Sequence, residues 1–251
     1  MFKNIYSYII SIYNVMVPHT IMVNTILDRV FNYFTDKFGS REIYDENIYS
    51  RLHKEFIVML LNHYYSNTDN KCIDLAEFNC LGSDNYNYDN VETLANHLSL
   101  QLQLLEKCGY TILYLQPSDI VKVRFKGAGA DAHAGADAHA GAHADCREIC
   151  LYLLVDLMQL VPLSKQDSNQ LVLNYPVVYP FPKGVCAPEL YKLNVLPFIT
   201  PRSASYYSLG LLCLHLLPKH LSLINLRDTP LFYFLERCLK EEPLERICLF
   251  I

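Results

Sequence analysis

The chain has 251 residues, 51% of them hydrophobic and 19% charged, with a formal net charge of -5. That length can bury a large core, and that balance excludes a disordered chain. The acidic balance removes the general basic surface that a nucleic-acid partner requires, so none is expected. Nine cysteines, an odd number, include no CxxC pair. Cys146 and Cys150 find no second pair to complete a zinc site. Reduced, buried thiols in an intracellular protein are expected.

The N-terminal stretch MFKNIYSYIISIYNVMV spaces Asn4, Ser7, Ser11 and Asn14 at helical intervals, which predicts an amphipathic helix rather than a signal peptide. No run reaches the ~18 apolar residues of a membrane span, so no transmembrane segment is expected. Between Ile21 and Phe38, the residues Ile21, Ile26, Val30, Phe31 and Phe34 fall on one helical face. Between Ile48 and Tyr65, Leu52, Phe56, Ile57, Met59, Leu60 and Leu61 do the same, with Asp45 placed to cap that helix. Residues 1–66 are therefore expected to form a helical N-terminal region. Residues 67–89 are polar and turn-rich and read as a connecting loop with at most one short turn of helix. Asp89 or Asn90 opens a long helix to Lys107, which Gly109 stops.

A short β run then leads to KGAGADAHAGADAHAGAHAD, residues 126–145, in which the hexad GADAHA occurs twice. His133, His139 and His143 with Asp131, Asp137 and Asp145 are metal ligands by type. Ala and Gly offer no second layer of hydrogen bonds to order such a site, so a flexible, solvated low-complexity insert is expected. Residues 147–163, REICLYLLVDLMQLVPL, read as a buried strand followed by a turn at Pro162. Residues 164–184 are broken by prolines and read as loop. Ser203 to Leu217 is apolar all round, hence a buried helix. Asp228 or Thr229 caps a last helix with Pro230 at its first position, running to Leu239, and Pro243 ends it.

Four short stretches, taken in order, carry a family resemblance. The helix Val91 to Lys107 is followed by ILYLQPSDI, Ile112 to Ile120. Ala187-Pro188-Glu189 come later, then Tyr207-Ser208-Leu209-Gly210, then Cys238-Leu239 with Pro243 and Arg246. They resemble the C-terminal lobe of the protein kinase fold, with its loop H-R-D-L-x-P-x-N-I, its A-P-E, the W/Y-S-L-G of the next helix and a late C-L-x-x-x-P-x-x-R. Leu115, Pro117 and Ile120 keep the loop's framework. The resemblance implies a mainly α fold. A helical kinase-like C-lobe with a few short strands would span residues 90–251, and the helical region 1–66 would replace the β-rich N-lobe. It also implies a buried ion pair between Glu189 and Arg246.

The chemistry-bearing positions depart from the family. Its His, Arg and Asp fall on Ile112, Leu113 and Tyr114, its Lys on Gln116 and its metal-binding Asn on Asp119. Phosphoryl transfer uses a carboxylate to accept or position the substrate's hydroxyl proton, and a phenol with a pKa near ~10 does this poorly. Asp119 keeps a hard oxygen ligand for a divalent cation. The D-F-G counterpart is Asp156-Leu157-Met158, which has lost its Gly. No G-x-G-x-x-G loop or V-A-I-K-like strand precedes residue 90. No catalytic residue and no cofactor are expected. Pro117, Ala187, Pro188, Glu189, Tyr207, Gly210 and Arg246 are expected to hold the fold, and Asp119 and Asp156 are the candidate metal ligands.

The resemblance thus implies a catalytically inactive kinase-like protein, a pseudokinase, serving as a binding or scaffold module for a protein partner, with the N-terminal helices available for self-association. The alternatives are a structural component of a viral particle or large assembly, and an atypical phosphotransferase using a Mg²⁺-nucleotide. Nineteen tyrosines, no tryptophan and frequent Asn and Ile are the choices of an AT-rich gene. In this the chain resembles kinase-like proteins of large DNA viruses, which implies host cytoplasm or virion.

Overall fold

The computed structural model describes residues 24–30, 32, 46–65, 73–82, 86–127, 149–157, 159–164, 167–173, 181–192, 195–221 and 223–250. The expected first helix, the Asp45 cap and the His and Asp residues of the repeat lie outside them. A helical stretch at 24–30 precedes helix α1, Glu46–Tyr65, and strand β1, Ile73–Cys80. Helix α2, Tyr88–Lys107, leads into β2, Tyr110–Ile112, and β3, Ile120–Gly127. Then come β4, Ile149–Leu154, β5, Leu160–Pro162, and β6, Gln170–Leu173. Strand β7, Phe198–Pro201, and helices α3, Ala204–Leu216, and α4, Pro230–Cys238, complete the described elements.

Local chemistry sets the ends of α2. The Asn87 side chain accepts from the Asn90 N–H at 2.9 Å, and the helix begins at Tyr88 rather than at Asp89 or Asn90. It stops before Gly109, whose φ of 85° lies in the left-handed region where a Cβ is strained. Helix α3 is apolar throughout and buries Leu209, Leu212 and Cys213, as a central helix must. At α4, Thr229 and not Asp228 is the cap, accepting from the Phe232 N–H at 3.2 Å.

The strands pair antiparallel in three small sheets, β1-β3-β4, β2-β5 and β6-β7. Three of these strands correct the sequence reading. Strand β1 lies inside residues 67–89, which composition marked as loop. Its Asp, Asn and Ser neighbours are turn formers, and pairing with β3 overrides them. Pro162 closes β5 opposite Tyr110 instead of making a turn, which a proline tolerates at a strand end. Strand β6 lies in the proline-broken stretch 164–184, with Leu171 and Leu173 buried in alternation.

The main core joins Ile26, Phe56 of α1, Leu94 and Leu98 of α2, Val123 of β3, Leu153 of β4, Leu209 of α3 and Phe234 of α4. Strand β4 is an edge strand with Leu151 through Leu154 all buried, so its outer backbone groups need partners. Helix α2 supplies them. The Tyr152 N–H donates to His97 Nδ1 at 3.2 Å. Gln101 Nε2 donates to the Tyr152 carbonyl, and Gln101 Oε1 accepts from the Leu154 N–H, both at 2.9 Å. One carboxamide thus stands in for a neighbouring strand. His53 of α1 extends the row, with Nε2 3.1 Å from the Val155 carbonyl. A carbonyl only accepts, so this nitrogen carries the proton. Burial pushes the His53 pKa down to about 4, and the Val155 bond opposes that only in part.

Candidate functional site

The loop between β2 and β3 has two unlike halves. Leu113 and Tyr114 point into a second, smaller apolar cluster with Val161, Leu171, Phe181, Cys186 and Leu190. Tyr114 meets Phe181 edge to face, with centroids 6.3 Å apart and planes at 82°. Burial pushes the Tyr114 phenol above its ordinary range, and nearby Cys186 and Asp119 push it the same way. At neutral pH it carries its proton, so it is no general base. Burying a side chain of this size contributes about 1.5–3 kcal/mol through packing.

The second half is a polar turn, Pro117–Asp119. Asp119 is buried, and its carboxylate accepts from the Gln116 N–H at 2.8 Å and from Ser118 Oγ at 3.3 Å. Its carbonyl accepts from the Val155 N–H at 2.8 Å and the Asp156 N–H at 3.2 Å. Asp119 and Asp156, 37 residues apart in the chain by their numbers, thereby become backbone neighbours. They are the residues that can offer hard oxygen atoms to a divalent cation here. Among the described residues no group of three or more His, Cys, Asp or Glu side chains has the arrangement of a metal site.

The other singled-out residues meet around α3. Ser208 Oγ accepts from the Leu115 N–H at 2.7 Å and donates to the Val185 carbonyl at 2.5 Å. One hydroxyl therefore fastens the loop to the stretch that enters Ala187-Pro188-Glu189. Arg246 Nη1 and Nη2 donate to Glu189 Oε1 and Oε2 at 2.5 and 3.0 Å. Its Nε donates to the Lys240 carbonyl at 2.7 Å, and Nη2 also to the Glu241 carbonyl at 3.0 Å. The Arg246 guanidinium lies 4.7 Å from the Tyr207 ring centroid. A Cβ on Gly210 would stand 2.8 Å from Leu239 Cδ2 and 3.2 Å from Cys238 Cβ, so that close approach requires glycine. Ala187 is fully buried, Pro188 is exposed at the start of a short helical turn, and Pro117 opens the loop's turn.

Ile112 is a core residue at the end of β2, and Gln116 contributes its backbone N–H to the turn. The clamp by Ser208 and the strand-like service of His97 and Gln101 were not read from the sequence. A signal for the second existed. His97 and Gln101 sit four apart on the same helical face as Leu94, Leu98 and Leu105, and buried polar groups need partners. Ser208 has the same character inside an apolar helix.

Compared with known proteins, the chain matches no family model, no curated protein and no solved structure. Among the described residues no helix is long and apolar enough to cross a membrane.

Proposed function

We propose that the chain is a catalytically inactive kinase-like protein that works as a binding or scaffold module for a protein partner. The observation that carries this reading is the buried, protonated Tyr114 in the place of the family's catalytic Asp. The four stretches behind the resemblance also touch one another through Ser208, Tyr207, Gly210 and the Glu189–Arg246 pair. Contacts among residues so far apart in the chain support a common framework, and that framework has kept its packing residues and lost its acid–base residues. A viral source and a place in a particle would suit such a module.

The nearness of Asp119 and Asp156 favours a second reading, an atypical phosphotransferase using a Mg²⁺-nucleotide. In the family the two matching positions hold the metal ions. Thermal unfolding with and without Mg²⁺-ATP separates the readings. A ligand at a hundred times its Kd contributes about 2.7 kcal/mol, a rise of several degrees in Tm for a chain of this size. No rise is expected. A rise of several degrees that disappears in Asp156→Ala would overturn the inactive reading.

A further inference from the structure

Two exposed segments with opposite charge share a border. The first surrounds Tyr191, whose hydroxyl accepts from the Gly184 N–H at 3.0 Å and donates to the Pro182 carbonyl at 3.1 Å. That contact holds the Lys183 turn beside the Lys192 turn, and both lysines are exposed. Large apolar side chains follow in the same segment, Val195 at 67% exposure and Ile199 at 60%. The second segment is 241–247, where Glu241, Glu242 and Glu245 are exposed around Leu244 at 78% and Ile247 at 52%.

Arg246 binds the two segments together, because its guanidinium holds both Glu189 and the Glu241 carbonyl. Ser203 Oγ adds a 2.6 Å bond to the Pro243 carbonyl. Among the described residues, Lys183, Lys192, Glu241, Glu242 and Glu245 form no ion pair. The two joined segments therefore carry a basic apolar half and an acidic apolar half, with no ion pair at these five charged residues among the described ones.

We propose that this face is a two-fold dimer interface with a second copy of the chain. A two-fold axis through the border lays the acidic half of each copy on the basic half of the other, so that every contact occurs twice. The apolar residues at the centre of each half then leave water together, and the charges form a complementary rim. An anionic lipid surface or a nucleic acid matches only the lysines and is repelled by the glutamates. An acidic peptide would leave Leu244 and Ile247 bare. A second copy matches both halves at once. The test reads association of the chain with itself and uses no nucleotide, so its outcome is distinct from that of the Mg²⁺-ATP experiment.

The test is sedimentation velocity of the full chain over a wide range of concentration, with three variants of surface residues whose melting curves should match the parent. The wild type should dimerise, and more weakly at high salt. The double variant K183E/K192E, the double variant E241K/E242K and Leu244→Asp should each raise the dimer Kd about tenfold or more. An equal mixture of the two charge-reversed variants should recover a tight heterodimer, because both halves are complementary again. A wild type that stays monomeric throughout, a mixture no tighter than its components, or a monomer that instead sediments with anionic vesicles would overturn the proposal.

Discussion

Two arginine–glutamate pairs in this molecule show how differently the same chemistry serves a fold. Arg246 is buried, grips Glu189 with two nitrogens and gives its remaining reach to the carbonyls of Lys240 and Glu241. Arg202 touches Glu106 with one nitrogen at 3.4 Å and is a third exposed. Glu106 also accepts from the Tyr206 hydroxyl, and burial leaves its pKa raised despite Arg202 and Tyr206. The first pair joins two distant stretches and has every charge answered. The second is a contact at the edge of water whose carboxylate is poorly solvated. Geometry and solvent access separate a structural lock from an incidental ion pair.

The largest effect is expected at the lock. Arg246→Ala should cost about 3–5 kcal/mol in denaturant unfolding, because it leaves the largely covered Glu189 without its counterion and frees two backbone carbonyls. A variant that unfolds at the same denaturant concentration as the parent would show the pair to be dispensable.

Acid probes the buried ionisable groups, and two of them act in opposite directions. His53 has its pKa lowered from 6.5 to about 4. Above pH 6.5 it is neutral in both states and its contribution is complete. As the pH falls from 6.5 to about 4, the unfolded chain takes up a proton that the folded chain refuses. Stability should drop by about 3 kcal/mol over that window. Glu106 has a raised pKa, so its contribution is complete below the ordinary carboxylate range and is lost as pH rises through the raised value. Acid therefore favours Glu106 in the fold while it works against His53. Unfolding followed between pH 7 and pH 4 should show a net loss in the parent and a much smaller one in His53→Gln. An identical acid limb in both would remove His53 from the account.

The smallest effect belongs to the second pair. Arg202→Ala should cost under about 1 kcal/mol, since Arg202 is a third exposed, makes a single 3.4 Å approach, and leaves Glu106 its bond from the Tyr206 hydroxyl. Calorimetric unfolding of this variant beside Arg246→Ala tests the contrast directly, and equal losses would abolish it.

Much of the helical architecture was legible. Apolar spacing marked α1, α2 and α3, and Thr229 with Pro230 marked the start of α4. The residues at the loop, Ala187-Pro188-Glu189, Tyr207-Ser208-Leu209-Gly210 and Arg246 could be singled out, and so could the expectation that Glu189 faces Arg246. The short strands were not legible where their surroundings opposed them. Strand β1 sits among turn formers, and β6 just ahead of a proline-broken run; each is fixed by a distant partner that supplies its hydrogen bonds. The packing role of Tyr114 needed Phe181, 67 positions later by number, to become visible.

Taken alone, the sequence determined where helices α1 to α4 run, which side chains fill the loop at 112–120, and which charges are available to pair. Those properties rest on local periodicity and residue chemistry, which neighbours in the chain already express. Only the tertiary structure decided that β4 takes its missing partner from His97, Gln101 and His53, that Ser208 fastens the loop, and that Asp119 and Asp156 lie side by side. Each of these is a hydrogen bond between groups tens of residues apart. A donor's need for an acceptor can be read from the chain, but its partner is chosen only when the core packs.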